Sequence, residues 1–144
     1  MNWLVVMLFL MVFSKPVLSP GQSVVESLIW KKRVVLLFGT SASPVLSQQF
    51  RELCADMDGI SDRDIAIFRV TSDNVFKDRD EKRLNEVSAQ QLRQRYSVDK
   101  ESFCLILIGK DGAEKLRKEG FTDRDELYKV IDAMPMRRRE MNRD

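Results

Sequence analysis

Two thiols, Cys54 and Cys104, and two hydroxyls, Thr40 and Ser43, are the side chains of this 144-residue chain whose types and settings point to covalent chemistry. A thiol acts as a nucleophile only as thiolate, and a helix N-terminus or a nearby cation lowers its pKa enough to form one. Ser43-Pro44 is a helix-start signal: the hydroxyl accepts from a free backbone N–H, and proline lacks only a donor that the first helical position does not use. Ser43 therefore reads as an N-cap. To act as a nucleophile it needs an adjacent base, and the chain contains no histidine. That absence excludes a Ser-His-Asp hydrolase and removes the commonest metal ligand. Two isolated cysteines do not make a zinc spacing, so neither a metal nor any other cofactor is expected.

Cys54 follows Leu46, Phe50 and Leu53 on the apolar side of the helix that Ser43 starts, which gives it the character of a small core residue. Cys104 opens a strand beside Phe103 and carries two readings, core packing and a single reactive thiol. The helix takes Cys54 roughly 16 Å down its axis from Ser43, while Cys104 is expected at the Ser43 end. Two separate thiols follow, because a disulfide needs Cα atoms within about 7 Å.

The elements that position these residues are read from periodicity. Val34 to Phe38 is a continuous aliphatic run ending at Gly39, the pattern of a strand buried on both faces. A helix from Pro44 to near Asp58-Gly59 follows, then a strand over Ile65 to Val70, parallel to the first through a right-handed crossover. Thr71 to Glu86 is polar and reads as a solvated loop. Ser88 with Gln91 makes a capping box for a short helix to Tyr96. Phe103 to Ile108 and Ala113 to Lys118 form a hairpin around Gly109-Lys110-Asp111-Gly112, and Thr122 with Asp125 is read as a second capping box for a last helix that Pro135 stops. Ser23 to Arg33 is a lead-in that covers one edge of the core.

The unbroken apolar run Trp3 to Phe13 precedes Lys15, Pro16 and small residues. It is shorter than the roughly 20 residues that span a bilayer and fits a signal-peptide core. Residues 1–21 are read as a leader and 22–144 as one exported domain with no integral membrane span once the leader is removed, an uncleaved anchor remaining an alternative. The charges, 24 basic against 22 acidic, nearly cancel and give no argument for nucleic acid. Lys110 and Asp111 in the hairpin, and Arg137, Arg138 and Arg139 beside several methionines, are the candidate interaction surface.

The order β-α-β-α-β-β-α is that of the thioredoxin core, a central four-stranded mixed sheet with flanking helices. In redox members of that fold a cysteine heads the first helix, where Ser43 stands, and no Cys-x-x-Cys occurs. Thr40-Ser41-Ala42-Ser43 resembles the Thr-x-x-Cys of peroxiredoxins with its cysteine replaced, and Phe103 falls where thioredoxins place a cis-proline.

At Leu28 to Phe38, Arg63-Asp64, Leu107 to Gly112 and Ile131 to Arg137 the chain resembles domain-of-unknown-function family 4174, also called P-DUDES, of exported bacterial proteins. It is similar as well to matching domains of sushi-repeat-containing and other extracellular-matrix proteins. The resemblance implies a thioredoxin-like domain without an established reaction and transfers no catalytic residue. Association of the animal members with adhesion and matrix assembly implies binding to an unidentified protein or an envelope or matrix component. The expected function is a non-catalytic exported binding or structural module; the competing one is a single-thiol redox protein, related to peroxiredoxins or thioredoxins, that uses Cys104.

Overall fold

A computed structural model describes residues 20–143. The leader lies outside the described residues except for Pro20 and Gly21. The elements are α1 (Pro20–Ser27), β1 (Arg33–Phe38), α2 (Pro44–Cys54), α3 (Met57–Asp62), β2 (Ile65–Val70), β3 (Val75–Lys77), α4 (Ala89–Tyr96), β4 (Cys104–Ile108), β5 (Glu114–Lys118), α5 (Arg124–Asp132) and α6 (Pro135–Met141). They build a five-stranded sheet of order β3-β2-β1-β4-β5, in which β1 and β2 run parallel and the remaining pairs antiparallel.

Strand alternation divides the core in two. Val34, Leu36 and Phe38 of β1 pack with Ala66, Phe68 and Val70 of β2 under α1 and α4. Val35 and Leu37 point the other way, into a cluster with Ile67, Leu105 and Leu107 under α2, α3 and α5. All of β1 is buried, as its uninterrupted apolar run requires, and each such Val, Leu or Phe contributes about 1.5–3 kcal/mol.

The Thr71–Glu86 segment differs from a plain loop, because Val75–Lys77 adds a fifth, edge strand to β2. Val75 is fully buried, and Asp78 returns its carboxylate to the Ile67 N–H at 2.9 Å. The lead-in covers a face rather than an edge: α1 packs against α4 and buries Val25 beneath it.

The helix after Ser43 is also two helices. Asp56 accepts from the Gly59 N–H at 3.0 Å and starts α3 afresh. Gly59 is required there, since a Cβ would lie 2.1 Å from Asp56 Oδ2 and 2.8 Å from the Tyr128 hydroxyl. Thr122 and Asp125 form no capping box. Asp123 is the N-cap of α5, without a side-chain bond, because the buried Gln49 amide exchanges two hydrogen bonds with the Thr122 backbone, at 2.7 and 2.9 Å. Pro135 ends α5 as expected, and then occupies the first turn of α6, so the arginine-rich tail is helical.

Candidate functional site

The turn between β1 and α2 confirms Ser43 as an N-cap. Its backbone is extended, and its Oγ accepts from the Leu46 N–H at 3.3 Å. The Thr40 carbonyl accepts from the Ser43 N–H at 3.0 Å, so both residues hold the turn together. Among the described residues, neither hydroxyl is hydrogen-bonded to a side-chain base.

Both cysteines are free. Cys104 packs with Phe38 and Tyr96 on the α1/α4 face, whereas Leu46 of α2 packs on the opposite face, so the sheet separates Cys104 from the helix that Ser43 caps. Burial pushes the Cys104 thiol above its ordinary value, against the opposing field of Arg117. Half-buried Cys54 closes α2, and burial raises its thiol too, despite Arg79 and Arg69. Neither is set up as a thiolate. The two cysteines stay apart because α2 and Cys104 lie on different faces of the sheet, a stronger separation than distance along one helix.

Sequence reading overlooked the most unusual group at this end of the molecule, Arg93. Ala89, Leu92, Arg93 and Tyr96 are the buried residues of α4, so Arg93 occupies a core position of a helical stripe. That position within the apolar period was the available signal. Its guanidinium donates to the carbonyls of Asp99 at 2.5 Å, Gly39 at 3.2 Å and Val70 at 3.3 Å, across the carboxyl ends of β1 and β2. It also lies over the Phe38 ring, 5.5 Å from the centroid. Burial lowers its pKa, against the opposing charge of Glu101. A cleft of about 590 Å³ opens here between α4 and the β2–β3 turn, where the carboxylates of Asp73 and Asp99 balance Arg93 and Lys100.

At the opposite end of the sheet the surface expected at Lys110 and Arg137 is corrected. Both side chains are buried, 8% and 5% exposed, because each lies among carboxylates. Lys110 Nζ reaches Asp64 at 2.8 Å and Glu140 at 2.6 Å. Glu140 also takes Arg33 at 3.2 Å, a side chain only 1% exposed. Arg63 grips Asp132 through two bonds of 3.0 and 2.9 Å, and Arg137 joins Asp132 to Asp62. Burial opposes ionisation of Glu140, but bonds from Lys110 and Arg33 hold its carboxyl below the usual range. Asp132 is lowered likewise by Arg63 and Arg137 against its own burial. Asp111 remains exposed and pairs with Lys115 at 2.8 Å; Arg138 and Arg139 are exposed.

Sheet order, parallel β1–β2 crossover and the position of the capped α2 define a thioredoxin-like fold. Residues 24–140 match the family described as Domain of unknown function (DUF4174), and the chain belongs to that family. No curated protein matches it. Among solved structures, the reduced 2-Cys peroxiredoxin of Plasmodium vivax is similar with a TM-score of 0.57 at 16% identity, over 79% of this chain and 71% of that one. Thioredoxin peroxidase I of Plasmodium yoelii gives 0.53 at 17% identity, over 83% and 80%. A structure described as a malarial protein gives 0.50 at 19%, over 70% and 94%. At these identities the likeness is one of fold.

Proposed function

We propose that this domain is an exported, non-catalytic binding or structural module that engages a protein or an envelope or matrix component. The observation that carries the reading is the state of the α2 N-terminus, where a redox relative would hold a thiolate and Ser43 instead spends its oxygen on the Leu46 N–H. Covalent chemistry has no activated group there: the hydroxyl lacks a base, and both thiols are raised by burial. Export is supported by the Trp3 to Phe13 run of the sequence.

The test is thiol labelling of the folded protein alongside peroxide and insulin reduction. Slow labelling that accelerates only on unfolding, with no turnover, is expected. One observation favours a second reading: Cys104 lines a cleft of about 440 Å³ beside Arg117. Turnover abolished by Cys104→Ser would establish that single-thiol enzyme and end the first reading.

A further inference from the structure

The ion-pair network at the amino end of the sheet is neutral within itself. Its cations are Arg33, Arg63, Lys110 and Arg137, and its carboxylates are Asp62, Asp64, Asp132 and Glu140. Lys31, Lys32, Arg138 and Arg139 stand outside it and make no ion pair or side-chain hydrogen bond among the described residues. Asp111 of the neighbouring hairpin is taken by Lys115, and Arg143 is followed in sequence by Asp144. Even with the exposed, unpaired Asp58 of α3 set against the four outer cations, the surface keeps a positive excess.

These cations share one end of the molecule. Glu140 of α6 takes Arg33 at the start of β1 and Lys110 of the hairpin, and the Lys110 carbonyl accepts from the Trp30 N–H at 2.6 Å. With Arg137 and Glu140 turned inward, the helical period turns Arg138 and Arg139 out to solvent. Trp30 is 66% exposed and Met141 41%. The other large exposed hydrophobic among the described residues, Phe121, follows β5 at the opposite end of the sheet. Trp30 has a φ of 67°, a left-handed conformation that bulky residues rarely adopt, so the fold imposes the turn that presents its indole.

We propose that this end docks on an anionic lipid bilayer, with Trp30 and Met141 entering the headgroup boundary while Lys31, Lys32, Arg138 and Arg139 meet lipid phosphates. Unpaired cations alone suit any polyanion. An indole and a thioether exposed among them select a surface with an apolar layer beneath its charge, where tryptophan concentrates and basic clusters bind anionic lipid. The apolar run Trp3 to Phe13 lies outside the described residues, and the six residues from Ser14 to Ser19 join it to α1. Six residues reach about 20 Å when extended, and α1 is about 12 Å long. A run held in the membrane therefore lets Trp30 lie on the same surface. The proposal rests on the reading of the domain as a binding module and names the envelope component that it engages.

The experiment uses the full-length chain carrying Trp3→Phe, which leaves Trp30 as the sole indole. Its emission is followed on phosphatidylcholine vesicles with and without phosphatidylglycerol, and again with brominated acyl chains. A blue shift and bromine quenching that require phosphatidylglycerol and fade as salt rises are expected. Lys31→Gln with Lys32→Gln, and separately Arg138→Gln with Arg139→Gln, should each weaken binding about tenfold or more. Lys77→Gln with Lys82→Gln, two exposed lysines at the β3 edge, should leave it unchanged. All six side chains lie outside the core and its ion pairs, so the variants should fold as the parent does. The proposal is overturned by Trp30 emission that vesicles do not move, by binding indifferent to phosphatidylglycerol, by an equal loss from the Lys77 and Lys82 pair, or by a response to soluble dextran sulfate that matches the response to vesicles. Thiol turnover would end the module reading without altering Trp30 emission, so the two failures are distinguishable.

Discussion

The two ends of the sheet handle buried positive charge in opposite ways. At the amino ends of β1 and β2, Arg33, Lys110 and Arg137 share Glu140, Asp64, Asp132 and Asp62, so each of these cations has an anion and α6 is tied to β1, α3, the β4–β5 hairpin and α5. At the carboxyl ends, Arg93 is held by carbonyls alone. The first arrangement is closed and serves the fold. The second meets its charge with carbonyl dipoles, beside a helix start that Ser43 caps. Arg63, Asp64, Lys110, Asp132 and Arg137 all belong to the closed end.

The largest effect should follow from opening that lock. Glu140→Gln leaves Arg33 without its carboxylate and Lys110 with Asp64 alone, and urea unfolding should report a loss of about 3 kcal/mol, as for other broken buried pairs. A loss below that of an exposed pair would abolish the contrast between the two ends. Acid probes the same groups. Glu140 and Asp132 are held below their ordinary values in the folded protein. Their contribution is therefore complete above the unfolded carboxylate range, about pH 4, and is lost as pH falls through the lower folded values. The urea midpoint should fall over that acidic window, more shallowly in Glu140→Gln than in the unmodified chain.

Much of this architecture was legible because its signals are local. Val34 to Phe38 could only be a doubly buried strand, and Ser43-Pro44 and Ser88 with Gln91 cap where their spacing says. What escaped depends on partners distant in sequence. Val75–Lys77 is a strand because β2 offers it an edge, and only Val75 of the three is fully buried, so it leaves no alternation to read. Thr122 abandons its capping box for Gln49, a residue 73 positions away. Lys110 and Arg137 have the composition of a surface, and their acidic partners become neighbours only once the hairpin, α3 and α6 are assembled. Arg93 is the exception: its place in the stripe Ala89, Leu92, Arg93, Tyr96 was visible before folding was considered.

Removing the unpaired charge should cost less than breaking the paired ones. Arg93→Met keeps an apolar stem against Phe38 and deletes the buried charge, but leaves the carbonyls of Gly39, Val70 and Asp99 without their donor. The gain and the loss oppose each other, and a net destabilisation of about 1–2 kcal/mol in urea is expected. A loss as large as that of Glu140→Gln would mean that Arg93 is a structural staple equal to the lock, and would erase the contrast between the two ends.

The smallest change is at Ser43, and it sharpens the comparison most directly. Ser43→Ala deletes the oxygen that receives the Leu46 N–H and should lower stability by about 1 kcal/mol, the usual worth of an N-cap. Ser43→Cys instead places sulfur before the free N–H groups of α2, where the helix field favours thiolate. The introduced thiol should label at neutral pH well before Cys54 and Cys104, with a pKa below about 8.5 taken from the pH dependence of its rate. That result would mean that the turn supports a reactive sulfur once one is placed there. Labelling no faster than Cys54 and Cys104 would instead mean that the turn itself, whose backbone Thr40 and Ser43 fix, does not activate a thiol.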